Sequence, residues 1–274
     1  MLINCKGNLI DLSKPKVMGI INITPDSFYS GSRSNSDREI LENTENMLKE
    51  GATFLDLGAY SSRPGADDIP VEEELQRMMP VIELILKEFP DAILSIDTFR
   101  AEVAEKSLNA GAAIINDISA GLLDDGMLEI IAKYQVPYIM MHMKGTPQTM
   151  KNLNQYEDLT ADVLIYFSER IKAARNIGLN DLIVDPGFGF AKNADQNFEL
   201  LSKLQLFRIL ELPILIGISR KSMIWKKLQI SANEALNGTT VLNTLALQKG
   251  ANILRVHDVK EAMECIKLTS ELSN

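Results

Sequence analysis

The sequence predicts an α/β protein that folds as a single (β/α)8 TIM barrel with an N-terminal β-hairpin at the bottom. Three observations carry this prediction. Eight short apolar runs alternate with longer stretches of helical periodicity, which is typical of consecutive parallel βα units. The runs are apolar almost throughout, as strands buried on both faces require. Eight such units in one chain favour closure into a barrel, with an open doubly wound sheet as the alternative.

The predicted strands cover residues 17–22, 53–57, 92–97, 113–117, 137–142, 182–185, 213–218 and 252–256. Between them, apolar residues recur three and four positions apart, as in helices that cover a sheet. The clearest helical stretches are 36–50, 71–89, 101–109 and 233–249. No linker rich in Pro, Ser or Gly interrupts the pattern, so residues 1–274 are predicted to form one domain.

The N-terminal segment 2–12 contains two short apolar runs on either side of Gly7-Asn8. This dipeptide is typical of a tight turn between antiparallel strands. We therefore expect a hairpin here, which closes the bottom of the barrel.

The composition, with 46% hydrophobic and 24% charged residues, provides enough apolar material for a large core. The net charge of −9 disfavours nonspecific attraction to nucleic acid or to an anionic membrane, so an anionic ligand must meet a local cluster of cations. No apolar run of about 18 residues and no leader-like segment occur, which predicts a cytoplasmic protein. Cys5 and Cys265 lack metal-ligand spacing and are predicted to be free thiols.

Polar residues recur where the predicted strands end. They are Asn22, Asp56, Asp97, Asn116, His142, Asp185, Ser219 and Arg255. The carboxyl ends of barrel strands line one mouth, where active sites of this fold lie. A helix cap or a turn explains any one of these residues equally well, but their recurrence along the chain favours a common site.

Three segments combine hydroxyls, Gly or Pro, and charged groups: 22–32, 61–66 and 218–223. Such dense donors indicate a ligand rich in oxyanions. Gly187 and Gly189 in the segment DPGFGF are either turn formers or positions where the backbone approaches a flat ligand.

Taken in order, the motifs NITPDSF, SRPGA, SID, IND, DPGFGF, SRKS and RVHDV resemble those of the dihydropteroate synthase family, over residues 18–259. The resemblance implies a transferase of folate biosynthesis that is a target of sulfonamides and forms a homodimer. Such an enzyme condenses (7,8-dihydropterin-6-yl)methyl diphosphate with 4-aminobenzoate, by dissociative displacement of diphosphate. The chain departs from the family pattern at Tyr60, at Ser62 and over 30–32, and Ser62 keeps the hydroxyl.

The resemblance assigns the pterin ring to Asp97, Asn116, Asp185, Lys221 and Arg255. A carboxylate such as Asp185 can accept two adjacent ring donors, and Asn116 offers a donor and an acceptor. Lys221 would reach the ring carbonyl, and a surface lysine is the plain alternative. Arg255 would stack on the ring, and a core salt bridge is its plain alternative. Asp97, Lys221 and Arg63 are the implied catalytic residues, with Asp97 stabilising a cation on the exocyclic methylene.

Diphosphate binding is assigned by the same resemblance to Asn22, Ser61, Ser62, Arg63, Arg255 and His257. Departure of this group requires counter-charge, which implies Mg2+ held through the Asn22 side-chain oxygen. The chain has two histidines, and a lone histidine near a strand is commonly structural. The RVH context favours a functional His257, whereas His142 is left open.

For 4-aminobenzoate, the implied contacts are Ser62, Pro64, Phe190, Lys221 and Ser222. Its carboxylate suits the start of the helix near Ser222, and its unprotonated amine can attack without a strong general base. The loops that carry Asp26 and Arg63 are expected to close over the complex.

Three rival interpretations remain at this point. A pterin-binding methyltransferase barrel shares the Asp and Asn ring contacts, but the motifs SRPGA and SRKS argue against it. A non-catalytic pterin-binding module is disfavoured by the presence of Asn22, Lys221 and His257. A Schiff-base aldolase built on Lys221 has no sequence support for a desolvated lysine.

Overall fold

The computed structural model describes residues 1–23, 33–60 and 68–273. Its strands are β1 (Leu2–Cys5), β2 (Asn8–Asp11), β3 (Lys16–Asn22), β4 (Phe54–Gly58), β5 (Leu94–Asp97), β6 (Ile114–Asp117), β7 (Tyr138–Met141), β8 (Leu182–Asp185), β9 (Leu215–Ile216) and β10 (Ile253–Val256). Its α-helices are α1 (Arg33–Glu50), α2 (Val71–Glu88), α3 (Ala101–Asn109), α4 (Met127–Tyr134), α5 (Leu159–Asn176), α6 (Ala194–Ser202), α7 (Ser222–Leu228), α8 (Leu236–Gln248) and α9 (Val259–Ser270). Short 3-10 segments cover Met150–Asn152, Leu204–Leu210 and Glu271–Ser273.

Strands β3 to β10 form one parallel sheet in the order β8-β7-β6-β5-β4-β3-β10-β9. A parallel bridge between Val184 and Ile214, with a 2.9 Å hydrogen bond from the Val184 N–H to the Pro213 carbonyl, joins β8 to the start of β9. The sheet thus curls into a nearly closed barrel with the helices outside. The TIM-barrel prediction is confirmed, and the open doubly wound alternative is wrong.

The hairpin β1–β2 is present, but its turn lies one residue earlier than predicted. Lys6 and Gly7 occupy the two central positions with φ of 52° and 89°, and Asn8 already pairs with Cys5. Two consecutive left-handed residues are typical of the type I′ turn that matches strand twist. The sequence prediction had placed Asn8 in the turn.

The hairpin packs under the barrel, as expected. Ile3, Cys5 and Leu12 form one buried cluster with inward residues near the strand starts, among them Phe54, Ile114, Ile139, Ile183, Leu215 and Ile253. This cluster makes the bottom of the barrel apolar. No helix in the described ranges is long and apolar enough to cross a membrane.

The period of two along each strand places the polar residues above this floor. The residues two positions beyond Phe54, Ile114, Ile183, Leu215 and Ile253 are Asp56, Asn116, Asp185, Gly217 and Arg255, respectively. These residues share the inward face and form a polar layer. Asn22, Gly58, Asp97, Ser219 and His257 lie higher on the same face, at the mouth.

Candidate active site

A cavity of about 460 Å3 opens at the carboxyl ends of the strands. Strands or strand ends from β3, β4, β5, β9 and β10 contribute to its wall, together with the turn after β8 and the start of α7. Its lining includes Asn22, Tyr60, Asp97, Phe190, Lys221, Ser222, Trp225, Arg255 and His257. Of the polar strand ends noted in the sequence, Asn22, Asp97, Ser219 and Arg255 therefore converge on one space.

Arg255 connects two carboxylates across the barrel interior. Its Nε donates to Asp56 Oδ2 at 2.5 Å, and its Nη2 donates to Asp97 Oδ2 at 2.8 Å. Asp56 is fully buried, whereas 13% of the Asp97 side chain is exposed. Burial raises the pKa of the Asp97 carboxyl to about 7, and the positive charge of Arg255 opposes this rise. The salt bridge that the sequence left open for Arg255 is present.

Asp56 also orients the neighbouring polar groups. Its Oδ1 accepts from Ser95 Oγ at 2.6 Å, and its Oδ2 accepts from Asn116 Nδ2 at 3.1 Å. Because a carboxylate only accepts, this contact fixes which end of the Asn116 amide is the nitrogen. Sequence reasoning noticed Asp56 at its strand end but gave it no role.

Asp185 and Lys221 influence each other electrostatically at the bottom of the cavity. Asp185 Oδ1 accepts from the Gly187 N–H at 2.8 Å, and an ideal Cβ on the cavity-lining Gly217 would lie 3.9 Å from Asp185 Oδ2. Burial raises the Asp185 pKa, and Lys221 and Arg255 oppose the rise. Burial also lowers the Lys221 pKa to about 8, with Asp185 opposing. Lys221 is therefore a desolvated amine, which the sequence had not indicated.

The wall beside Lys221 is aromatic. Lys221 Nζ donates to the Phe188 carbonyl and lies 4.7 Å from the centroid of the Phe190 ring. Phe190, Ser222 and Trp225 line this side of the cavity. The half-buried alkyl stem of a lysine beside an aromatic ring provides a flat, apolar surface with a polar end.

Ser219, Arg220 and His257 connect the ends of β9 and β10. Ser219 Oγ lies 3.0 Å from His257 Nδ1, and the His257 N–H donates to Ser219 Oγ at 3.2 Å. Arg220 has a left-handed φ of 54° and binds both Asp258 oxygens, at 2.9 and 2.7 Å. These contacts hold exposed His257 at the rim.

Tyr60, whose contribution the sequence could not reveal, is a buried part of the cavity wall. Its ring packs edge-on against Phe99 with centroids 5.1 Å apart, and the Arg100 guanidinium lies 5.1 Å from its centroid. The Tyr60 hydroxyl accepts from Gln148 Nε2 at 2.9 Å. Arg100 is fixed in turn by fully buried Glu74 at 2.7 Å.

Most predicted site residues meet at this mouth. Asn22, Asp97, Phe190, Lys221, Ser222, Arg255 and His257 line the cavity, and Asn116 and Asp185 belong to the polar layer beneath it. Ser61, Ser62, Arg63 and Pro64, as well as Asp26, lie outside the described residues. Sequence reasoning missed Asp56, Ser95 and Trp225 as components of the site. Alternation along the strand would have indicated Asp56, and the position just after the SRKS motif would have indicated Trp225.

For a divalent cation, the described ranges contain no cluster of three His, Cys, Asp or Glu side chains. Asn22 is exposed at the cavity and offers one amide oxygen. Mg2+ is commonly held by one or two protein oxygens, water and substrate phosphates. The donor set of the described residues therefore fits Mg2+ that arrives with a phosphate ligand.

Residues 18–257 match the model of the family described as pterin-binding enzymes. Dihydropteroate synthase of Escherichia coli (strain K12) is 43% identical over 270 residues, which cover 98% of this chain and 95% of that protein.

Two crystal structures extend the likeness to the fold. Yersinia pestis dihydropteroate synthase in complex with a sulfonamide drug superposes with a TM-score of 0.93 at 40% identity, covering 100% of this chain and 99% of that one. Xanthomonas albilineans dihydropteroate synthase with 4-aminobenzoic acid gives a TM-score of 0.91 at 37% identity, covering 99% and 98%. The chain belongs to the pterin-binding enzyme family.

Proposed function

We propose that this protein is a dihydropteroate synthase. It condenses (7,8-dihydropterin-6-yl)methyl diphosphate with 4-aminobenzoate and releases 7,8-dihydropteroate and diphosphate, a step of folate biosynthesis. The observation that carries the proposal is the polar layer inside the barrel, to which Asp185, Asn116 and Arg255 belong, beneath an open cavity that Asp97 and Lys221 line. The relatives that carry this enzyme name at 37–43% identity support the same reaction.

The pterin ring fits the polar layer by its pattern of donors and acceptors. Its 2-amino group and adjacent ring N–H are parallel donors, which Asp185 accepts. Asn116, oriented by Asp56, presents a donor and an acceptor to the remaining ring edge. Lys221 donates to the ring carbonyl, and the guanidinium face of Arg255 lies against the ring while its edges stay bound to Asp56 and Asp97.

Asp97 stabilises the charge that develops when the leaving group departs. In the dissociative route, the bond between the exocyclic methylene and the diphosphate oxygen breaks first and the electron pair leaves with diphosphate. The methylene cation is delocalised into the pterin, where a fixed carboxylate lowers its energy. The amine nitrogen of 4-aminobenzoate then forms the new C–N bond and loses a proton.

Diphosphate is bound at the rim, by Asn22, Arg255 and His257 together with Ser61, Ser62 and Arg63. Asn22 would hold Mg2+ through its side-chain oxygen, and the ion would supply counter-charge for the departing diphosphate. The imidazole of His257, held by Ser219 at 3.0 Å, offers a polar atom on the same side.

4-Aminobenzoate occupies the aromatic side of the cavity. Phe190 and the Lys221 stem cover its ring, with Pro64 and Ser62 from the second loop, and its carboxylate lies near Ser222. The same pocket is the one in which a sulfonamide would compete.

We further propose that residues 1–274 act as one domain in a homodimer. The exposed hydrophobic side chains Val241 and Leu245 on α8, and Leu268 on α9 with Leu272 beyond it, form two pairs spaced four residues apart. Helices α8 and α9 pack on each other, so both pairs belong to one side of the protein. A cytoplasmic location is part of the proposal, because both cysteines are buried and unpaired.

The activity itself is the first prediction. With the pterin diphosphate, 4-aminobenzoate and Mg2+, the protein should form 7,8-dihydropteroate and diphosphate in equal amounts. A chelator should slow turnover by about a hundredfold or more, because the leaving group loses counter-charge, and Asn22→Ala should raise the Mg2+ concentration needed. Chromatography and a diphosphate assay measure both products. Full activity in chelator would contradict the requirement for Mg2+. Absence of product would contradict the proposed reaction.

The assignment of subsites predicts opposite effects of two substitutions on a pterin that lacks diphosphate. Asp185→Asn places an amide donor against a ring donor and should weaken binding about ten- to a hundredfold in calorimetry. His257→Ala should leave this binding nearly unchanged, because His257 is assigned to diphosphate. The assignment would be contradicted if His257→Ala lost binding of the pterin without diphosphate, or if Asp185→Asn retained that binding.

The pH profile of kcat/KM for the pterin diphosphate should be bell-shaped. Activity should fall below about pH 7 as Asp97 takes up a proton, and above about pH 8 as Lys221 loses one. Asp97→Asn should remove the acidic limb and lower the plateau about a hundredfold. His257→Gln is the control, since a limb that disappears in this variant would belong to the histidine instead.

The homodimer predicts a particle of twice the 30.5 kDa chain mass in light scattering after size exclusion. Introducing a charge by Val241→Glu together with Leu268→Glu should shift the mass to that of one chain, because a buried unpaired carboxylate is costly. Ile165→Glu, at a residue on α5 that is 58% exposed, is the matched control. A single-chain mass for the unmodified protein would refute the dimer.

A further inference from the structure

A lysine and a histidine are buried together beneath the turn that follows β8. Lys192 is 9% exposed and His142 is 2% exposed. Lys192 Nζ lies 2.9 Å from His142 Nδ1, and it donates to the Gly187 carbonyl at 3.0 Å and to the Phe190 carbonyl at 3.1 Å. Three acceptors match the three N–H groups of an ammonium. Neither side chain lines the cavity, and neither has a part in the proposed reaction.

The turn over this pair has an unusual backbone. Gly187, Gly189 and Ala191 all have left-handed φ, of 74°, 81° and 49°. A Cβ on Gly187 would lie 2.0 Å from the His142 carbonyl oxygen, so the turn rests directly on the end of β7. Alternating left-handed residues point carbonyls to both sides of the turn, and each carbonyl in a buried place requires a donor.

Those donors come from opposite sides. From below, Lys192 binds the carbonyls of Gly187 and Phe190, and Tyr156 Oη donates to the Ala191 carbonyl at 2.9 Å. From the cavity side, Lys221 donates to the Phe188 carbonyl and lies over the Phe190 ring. The positions of Lys221 and of the Phe190 ring, which is assigned to 4-aminobenzoate, therefore depend on a turn that Lys192 holds in place.

We propose that Lys192 and His142 are positioning residues, which hold the turn 187–190 in the shape that presents Phe190 and Lys221 to the substrates. The inference deepens the proposed function and rests on it, because the turn forms the wall assigned there to the pterin and to 4-aminobenzoate. His142 holds Lys192 in place through its Nδ1, and Lys192 holds the turn through the carbonyls of Gly187 and Phe190.

The three acceptors around Lys192 favour an ammonium beside a neutral imidazole, whereas burial and the neighbouring lysines oppose the charge on Lys192. Burial lowers the pKa of Lys192 to about 7, Asp185 opposes this change, and Lys221 and Lys144 add to it. Burial, Lys192 and Lys144 hold the pKa of His142 well below its ordinary value. Besides these groups, the rings of Tyr156 and Tyr166 face the imidazole, with centroids 6.1 and 4.8 Å away. A neutral His142 that accepts at Nδ1 carries its proton on Nε2.

The first test is Lys192→Met, which keeps the length of the side chain and removes all three donors. We expect the dissociation constant of a pterin without diphosphate to rise about tenfold or more, and the KM for 4-aminobenzoate to rise more than kcat falls. Fluorescence of Trp225, the single tryptophan and part of the cavity wall, reports binding. The thermal midpoint should fall by a few degrees, because the carbonyls of Gly187 and Phe190 lose a buried donor, but the variant should remain folded at the temperature of the binding measurement. Lys203→Met, on an exposed lysine paired with Glu199, controls for the loss of charge.

The second test compares two variants of the anchor. His142→Asn keeps an oxygen acceptor near the place of Nδ1 and should retain pterin affinity within about threefold, whereas His142→Leu should lose about as much as Lys192→Met. Nitrogen-15 NMR of the unmodified protein should show His142 protonated at Nε2 and not at Nδ1. With only two histidines in the chain, His257→Gln assigns the signals.

Each outcome decides for or against the positioning role. Pterin affinity within about twofold of the unmodified protein in Lys192→Met would overturn it, as would equal losses in His142→Asn and His142→Leu. A loss of affinity in Lys192→Met that accompanies partial unfolding at the temperature of the binding measurement would assign the pair a structural role only. If the unmodified protein bound pterin but formed no dihydropteroate, the proposed function would fail while the binding and NMR measurements still decided this inference.

Discussion

The ion pairs of Arg255 with Asp56 and Asp97 are the constraint on which the interior of the barrel depends. Charges placed inside a protein are costly unless each is paired and hydrogen-bonded. Asp56 meets this requirement with three donors, from Arg255, Ser95 and Asn116, and each donor comes from a different strand. Replacing Arg255 by an apolar residue would leave two carboxylates facing each other without a counter-charge. The polar layer is therefore a single unit whose members cannot be exchanged one at a time.

Alternation along the strands separates this unit from the part of the barrel that provides stability. The same inward face is apolar at the bottom, where the hairpin closes it, and polar two residues further along. Each inward step advances about 6.6 Å, so the apolar floor stays out of reach of water that enters the mouth. The floor limits solvation of the layer above, and this desolvation moves the pKa of Asp97 up and that of Lys221 down. Fold and chemistry are linked through this shared burial.

The sequence predicted the barrel well because its signals are local. Apolar runs, helical periodicity and strand-end polar residues are all read within a few positions, and helix 101–109 was predicted with the observed bounds. The hairpin turn was misplaced by one residue because Lys6 adopts a left-handed φ, which local propensity assigns to Gly and Asn. Pairings across the barrel had no such signal. Asp56 and Arg255 are 199 residues apart, and His142 and Lys192 are 50 residues apart, so only the closed sheet shows that they meet. The sequence left a structural and a functional role open for His142, because the partner that decides between them, Lys192, is distant along the chain.

The balance of charge at the mouth bears on how an anionic substrate is held. At the mouth and in the polar layer beneath it, the described residues Asp56, Asp97, Asp185 and Asp258 carry four negative charges, and Arg220, Lys221 and Arg255 carry three positive ones when all are ionised. Arg220 and Arg255 are already committed to carboxylates, and the chain as a whole has a net charge of −9. This part of the mouth is thus close to neutral and has little surplus to attract a diphosphate. Under the proposed function, the surplus would come from a divalent cation that enters with the substrate, from Arg63, or from both. Fixed hydrogen bonds would hold the pterin ring, and the counter-charge for the leaving group would be supplied with the substrate, which suits a reaction whose second product is diphosphate.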